Sequence, residues 1–544
     1  DLKLISNLLK YTNTFFMKKN LFKYIFVGVT ALSMTACSDQ LETSPSASVS
    51  GDQLLGSATN ALIPLNGVIR SMYTAGVSNT VNTHQCFGIS AYNLMADVMG
   101  EDCIMSAPGS GWFWYDCIYD MKSMYTSEGW RPYEAWNGYY GWISNVNYII
   151  NAEKTMSGSD TEKNYVLGQA YAIRAYSYFM LAQTFARTYK GHEQDLCVPI
   201  YTEPTNIETD GKKRSTVEDV YKQITADITL AIEKLRNAGE RTVKSHIDLY
   251  TALGFQARIA LTMEDWNTAK AAAEEVINDG PYSIGESAEI LNGMNDVSAK
   301  NVMWGAIISA DQSGAYAGFF THMDADQDAY GASARKQINK ELYAKMKDGD
   351  IRKWNSSTKK GWWNPEDVNN KQGGYQQEKF KFKDGSLWTG DYIWMRVEEM
   401  YLIAAEANCR LGGAANEATA QRYLCDLLSK RGYTTVDLQQ IENLHGCELT
   451  TSTSGTTGSL LEEIINQRRI ELWGEYGRIY DIRRLHQGFK RTAAMGWPSS
   501  ALNTGHTEDP ESYAWVLTIP QSEFDGNPAL DPVKDQNPMG DYAE

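Results

Sequence analysis

One helical hairpin constrains this 544-residue chain more than any other segment. Within residues 249–281, Ala257 and Ala269 are small where two helices would cross. Trp266 stands at the turn between them, and Pro281 closes the unit. Helices approach closely only through small side chains, and an aromatic ring fills the space beside the turn. A lone hairpin leaves a flank uncovered, so one good copy implies others stacked on it. The stretch 396–430, around Tyr401, Ala404, Ala405 and Ala407, supplies a second, more divergent copy.

The hairpin pattern resembles the tetratricopeptide repeat, and the fold expected is mainly α, a scaffold of helical pairs with few short strands. Other segments agree. Ser159-x-x-Glu162 reads as a capping box, followed at helical spacing by Tyr165, Ala172, Tyr176, Phe179 and Gln183. Ser215-x-x-Glu218 reads as the start of another helix, with Val220, Ile224, Ile228, Ala231 and Leu235 on one side. A charged helix is expected over 460–487. Residues 281–395 differ, being rich in Gly, Asp and Asn with short apolar runs such as 302–308. That composition predicts irregular structure with a few short strands. Long loops in a compact protein carry function more often than not, so a binding surface is expected there. The expected organisation is an N-terminal helical region over 51–280, the loop-rich excursion over 281–395 and a C-terminal region over 396–544.

The N-terminus reads as an address. Lys18, Lys19 and Lys23 supply a positive start, the run from Leu21 to Leu32 is otherwise largely apolar, and Met34-Thr35-Ala36 leads to Cys37. The apolar run is short for a membrane span and fits a secretory signal over 17–36, with 1–16 upstream of the start. Small residues ending in Cys resemble the bacterial lipobox, in which that Cys is acylated, although Met34 replaces the usual Leu. The Ser-rich stretch 37–50 has nothing to bury and reads as a flexible tether.

The net charge of −17 makes an acidic surface that repels phosphate backbones and excludes nucleic acid as a partner. The eight cysteines form no Cys-x-x-Cys pair, and at this density no disulfide scaffold is expected. No His-Glu-x-x-His, Gly-x-Ser-x-Gly or Walker A sequence occurs. Gly211-Lys212-Lys213-Arg214-Ser215 lacks the leading Gly of a phosphate loop and reads as a basic turn. Asp324-Ala325-Asp326-Gln327-Asp328 begins like a calcium loop, but Ala329 and Arg335 stand where Gly and an acid are needed. A solvated acidic loop is the reading. Glu471, Glu475, Arg478 and Asp481 recur at helical spacing and read as an ion-pair network rather than a glycosidase carboxylate pair.

Four blocks together are similar to the SusD/RagB family of Bacteroidota surface glycan-binding lipoproteins. The first is Gln169-Ala170-Tyr171-Ala172-Ile173-Arg174-Ala175-Tyr176 and the second runs from Arg396-Val397-Glu398-Glu399-Met400-Tyr401 to Glu406-Ala407. The third joins Arg468-Arg469-Ile470-Glu471-Leu472 to Glu475-Tyr476-Gly477-Arg478 and Asp481-Ile482-Arg483-Arg484. The fourth comprises Ile519-Pro520, Asn527-Pro528 and Gln536-Asn537-Pro538. The resemblance implies a non-catalytic lipoprotein at the outer-membrane surface. It would bind oligosaccharide without a cofactor and pass it to a SusC-type TonB-dependent transporter. Two other classes stay open: a secreted glycoside hydrolase, and a structural transporter lid for peptide cargo.

Sugar faces stack on flat rings, and this chain carries 15 Trp, 32 Tyr and 15 Phe, 11% of its residues. Those from Trp130 onward keep a helical period and read as core. Trp112, Phe113, Trp114 and Tyr115 follow the turn-forming Pro108-Gly109-Ser110-Gly111, and four consecutive rings cannot all face one interior. Trp112, Trp114 and Tyr115 are therefore candidate stacking residues, against the alternative of packing under a loop. Asp102 and Asp116 are candidates for binding sugar hydroxyls. In the excursion, Tyr316 and Phe319 lie in a Gly-rich stretch, and Trp362 and Trp363 lie between Gly361 and Asn364-Pro365. Trp354 and Trp388 sit less clearly in loops.

Overall fold

The computed structural model describes residues 54–539 apart from 80, 107–111, 315, 367–372 and 503. The signal peptide, Cys37, the tether and the turn 108–111 lie outside the described residues. The helices that build the scaffold are α1 (Ala58–Ser71), α2 (Ile89–Val98), α3 (Trp130–Asn151), α4 (Asp160–Phe185), α5 (Val217–Arg236), α6 (Leu249–Met263) and α7 (Trp266–Asp279). After the excursion come α8 (Val397–Leu411), α9 (Ala414–Ser429), α10 (Leu460–Glu471) and α11 (Arg478–Arg484). Each of α3 to α8 packs on its successor, and α8 also packs on α10. The expected helical-pair scaffold is what forms.

Local chemistry sets these boundaries. At the start of α4 the Ser159 hydroxyl accepts the Glu162 N–H, and the Glu162 carboxylate accepts the Ser159 N–H at 2.9 Å, closing the expected capping box. The start of α5 is one residue later than the sequence suggests. Thr216, not Ser215, caps it by accepting the Asp219 N–H at 3.1 Å. Ser215 is held in extended pairing: its carbonyl accepts from Cys197 at 2.7 Å and its N–H donates to Val198 at 3.2 Å. The hairpin α6–α7 turns at Glu264 in a left-handed conformation, Asp265 caps α7, and Ala257 and Ala269 are fully buried between the helices.

The expected single helix over 460–487 is instead two, α10 and α11. Gly474 (φ 78°) and Gly477 (φ 116°) break it, in backbone conformations that strain other residues. A Cβ on Gly477 would lie 2.6 Å from that of Ala96, so this break also lets α2 approach α11.

Residues 281–395 are inserted between α7 and α8, two helices that pack directly on each other. The insertion carries β2 (Val302–Ala306), β3 (Lys336–Ile338), β4 (Trp363–Asn364) and β5 (Gln376–Gln377). With β1 (Cys103–Met105) they form an antiparallel sheet in the order β1-β3-β5-β4, with Cys103 opposite Ile338 and Trp363 opposite Gln377. β2 pairs instead with β6 (Tyr392–Arg396), which leads straight into α8. Through β1 and β3 the excursion is hydrogen-bonded to the N-terminal region.

The charged sequence blocks turn inward. Glu471 accepts from Arg352 at 3.0 Å, from Arg396 at 3.0 Å and from Arg431 at 2.8 and 3.0 Å, all four side chains being fully buried. Glu475 takes both a bidentate Arg396 contact at 2.7 Å and the Lys379 ammonium at 2.5 Å. Around this centre Glu399 pairs with Arg258, Asp481 with Arg468 and Arg484, and Glu406 with Arg484. The expected ion-pair network is therefore present, but it is buried rather than spread over helix faces. Burial alone would raise the Glu471 carboxyl, yet the Arg431, Arg396 and Arg352 guanidiniums outweigh it and hold the group well below the usual carboxylate range.

Candidate functional site

Five rings from four separate loops meet at the surface. His84 lies in a short 3-10 turn, Trp112 precedes the short helix Trp114–Cys117, Tyr316 and Tyr330 flank the short helix Phe319–Met323, and Trp388 lies in the turn at 385–388. Trp112 packs on His84 and Tyr330 at centroid distances of 5.3 and 4.9 Å. Tyr316 stacks on His84 at 5.9 Å with ring planes 26° apart, and touches Tyr330 and Trp388, each at 5.7 Å. Tyr316 is half exposed, and the other four rings are partly exposed. The result is an open aromatic shelf.

Backbone geometry aims two of these rings. Phe113 (φ 71°) and Trp388 (φ 56°) both occupy the left-handed region, which large L-residues enter only when their surroundings hold them there. At Phe113 the reversal sends consecutive rings in different directions. Phe113 is fully buried and Trp112 stays at the surface. The loops are also tied to one another, since the Ser313 hydroxyl donates to the Leu387 carbonyl at 3.1 Å.

A second layer of rings supports the shelf. His322 is fully buried, stacks on Phe87 at 5.5 Å, meets Phe113 edge-on at 5.1 Å and lies 5.2 Å from Tyr330. Burial keeps its imidazole well below the usual histidine range, so it is neutral, and its Nε2–H donates to the His84 carbonyl at 2.7 Å. His84 Nδ1 in turn lies 2.6 Å from the Tyr330 hydroxyl. The shelf is thus backed by packed rings, with imidazole and phenol groups at its edge as hydrogen-bonding partners.

Trp112, Tyr316 and Tyr115 meet solvent as expected from the sequence, although Tyr115, 51% exposed, stands outside this set of ring contacts. Other candidates do not. Trp362 and Trp363 are 0% exposed. Trp362 donates its indole N–H to the Ile290 carbonyl at 2.8 Å, and Trp363 packs edge-on against Trp473 at 5.7 Å. The Gly361 and Pro365 that flank them mark the ends of a strand that folds inward, not an exposed loop. Trp114 and Phe319 are buried too, Phe319 among Phe320, Phe380 and Tyr392. A ring without an exposed face has nothing to offer a sugar.

Asp102 and Asp116 are likewise corrected. Asp102 receives Arg469 at 2.8 Å twice and Arg478 at 3.2 Å, while Asp116 receives Arg131 at 2.7 and 3.0 Å. Both are buried and their lone pairs are engaged. Sequence reasoning missed His84 and Tyr330 because no local period or motif marks them.

The acidic run at 324–328 is structural. Asp324 accepts the Phe382 and Asp326 N–H groups at 2.8 and 2.9 Å, and Asp326 pairs with Lys381 at 2.6 Å. No group of three or more His, Cys, Asp or Glu side chains suited to a metal ion occurs among the described residues.

A separate groove runs along the outer face of α3. Hollows of about 400, 570 and 620 Å³ meet at Tyr133, lined also by Asn137, Tyr140, Val77 and Ser522. Trp136 is buried at its wall, where Tyr140 packs on it at 4.8 Å, and Tyr133 is 41% exposed.

Comparison with known proteins agrees with this architecture. Residues 89–261 match the model of a family described as starch-binding and associating with the outer membrane, and residues 299–539 match the SusD family. The chain belongs to the SusD/RagB family. A SusD-like carbohydrate-binding protein from Bacteroides vulgatus superposes with a TM-score of 0.71 at 26% identity, covering 90% of this chain and 100% of that one. Surface glycan-binding protein A from Bacteroides fluxus shares the fold, with a TM-score of 0.61 at 16% identity over 88% of this chain and 99% of its own. SusD-like protein P2 from Formosa agariphila is 23% identical over 61% of this chain and 67% of its own length. In this SusD-family chain, the charged blocks that carry the resemblance map onto the buried ion network, and the shelf rings fall outside them. The blocks that carry the resemblance therefore belong to the scaffold.

Proposed function

We propose that this protein is a non-catalytic glycan-binding member of its family, which captures an oligosaccharide on the shelf of His84, Trp112, Tyr316, Tyr330 and Trp388. The observation that carries this reading is the shelf itself: flat rings from four segments, backed by a second layer of rings and open to solvent. Pyranose rings present apolar C–H faces to such surfaces, and their hydroxyls find partners at the imidazole and phenol edges. Affinity on the order of micromolar to millimolar is expected, because sugars retain hydration and lose freedom on binding. Weak capture suits cargo that is handed on, here to a SusC-type TonB-dependent transporter.

The carboxylate pair that a hydrolase would need at Glu471 and Glu475 is taken up by guanidinium and ammonium groups. Calorimetry of the purified protein against a panel of neutral oligosaccharides tests the reading. Saturable binding without release of reducing ends is expected. Sustained release of reducing ends, or no binding across the panel, contradicts it.

The anchor follows from Cys37 and the short apolar run before it. No helix among the described residues is long and apolar enough to cross a membrane. Acylated at Cys37, the protein would be held at the cell surface by lipid. Cys37→Ser is expected to shift it from the membrane fraction to the soluble fraction. Unchanged fractionation with membranes contradicts lipid anchoring.

A further inference from the structure

The sulfurs of Cys409 and Cys447 face each other 2.8 Å apart. This is closer than two unbonded sulfurs pack, and within about 0.8 Å of a covalent S–S bond. Cys409 is buried in the last turn of α8, and Cys447 is half-buried in the segment that leads to α10.

Independent contacts fix this approach. The His445 and Gly446 carbonyls accept from Leu460 and Leu461 at 3.0 and 3.2 Å. The Glu417 carboxylate accepts the Gly446 N–H at 3.1 Å and lies 2.7 Å from His445 Nδ1. After Cys447, the Ser459 hydroxyl that caps α10 donates to the Glu448 carbonyl at 2.7 Å, so the segment is held on both sides of Cys447, and the Cys447 thiol points at the Cys409 carbonyl, 2.7 Å away.

We propose that Cys409 and Cys447 are joined by a disulfide in the exported protein. The inference rests on export through an oxidising compartment, where such bonds form and persist, and not on glycan binding. The oxidant is a disulfide-bearing thiol oxidoreductase or glutathione disulfide. Burial pushes the Cys409 thiol well up, so the more exposed Cys447 reacts first. Its thiolate attacks one sulfur of the oxidant and expels the other as a thiolate. Cys409 then gives up its proton and attacks the Cys447 sulfur of the mixed disulfide, releasing the second thiolate. Two S–H bonds become one S–S bond, and the oxidant's S–S bond becomes two S–H bonds. Cys425, half-buried with its thiol aimed at the Leu438 carbonyl at 3.7 Å, has no such sulfur partner among the described residues and serves as the internal control.

The test uses the full protein, exported into an oxidising periplasm, denatured and alkylated without reductant, then digested with trypsin. Peptides 397–410 and 432–468 are expected as one species, lighter than their sum by two hydrogens and separated by reduction. Peptide 423–430 is expected in alkylated form. Alkylation of both Cys409 and Cys447, or linkage of either to another cysteine, overturns the proposal. As a second measurement, Cys447→Ser should lower the thermal midpoint by roughly 4–8 °C without reductant, and the difference should vanish when both proteins are reduced. Equal midpoints without reductant overturn it as well. Because both readouts need no ligand, failure of the glycan reading would leave them untouched.

Discussion

Replacing Glu471 by Ala is expected to lower folding stability by about 3–5 kcal/mol, because it takes from three buried guanidiniums the carboxylate they share, leaving Arg352 only Asp350, Arg431 only Glu398, and Arg396 only Glu475 and Glu398. Arg352, Arg396 and Arg431 all converge on this carboxylate with no route to water. A loss of that size is a large part of the total stability of a typical domain, so poor yield and a reduced denaturant midpoint should appear together. Chemical denaturation followed by circular dichroism checks it. The matched control is Glu218→Ala, which removes an exposed Lys222 pair and should leave the midpoint unchanged. Equal effects from both substitutions contradict the buried-network account.

The same network fixes the acid side of the stability profile. Glu471, Glu475 and Asp481 all have folded-state values below those of the unfolded chain, since burial is outweighed by Arg431 and Arg396, by Arg396 and Lys379, and by Arg468 and Arg484 respectively. A depressed carboxylate contributes its full stability above its unfolded value and loses it as pH falls toward the folded value. The denaturant midpoint should therefore drop steadily below about pH 4.5. A midpoint that holds level from pH 5 to pH 3 contradicts this.

The second large effect is on binding. Removing any one of Trp112, Tyr316 or Trp388 as Ala should weaken oligosaccharide binding by about tenfold or more, equivalent to about 1.4 kcal/mol or more. Because Tyr316 bridges His84 and Trp388, the Tyr316→Ala, Trp388→Ala double variant should lose less than the sum of its singles. Trp363→Ala, by contrast, should act on stability, since its ring is sealed against Trp362 and Trp473. Calorimetry and thermal unfolding on the same preparations separate the two classes.

How much of this was legible in the sequence depended on distance along the chain. Helical pairs announce themselves locally, through the period of their apolar residues, through Ser159 and Glu162, and through Ala257 and Ala269 at the crossing. The burial of Asp102 was not legible, because its partner Arg469 lies 367 residues away. Trp362 and Trp363 misled because turn residues flank a strand end as readily as an open loop. Four consecutive rings over 112–115 indicated that at least one must meet solvent, and two do, Trp112 and Tyr115. The shelf as a whole could not be read, since its rings come from positions 84, 112, 316, 330 and 388 and only the folded chain assembles them.

The most direct test of the shelf is a crystal structure of the protein with the oligosaccharide that binds it best in calorimetry. A pyranose ring lying face-on against Trp112, Tyr316 or Trp388, with a hydroxyl within hydrogen-bonding distance of His84 or Tyr330, is the predicted result. A sugar seated in the groove beside Tyr133, with the shelf left bare, would contradict it.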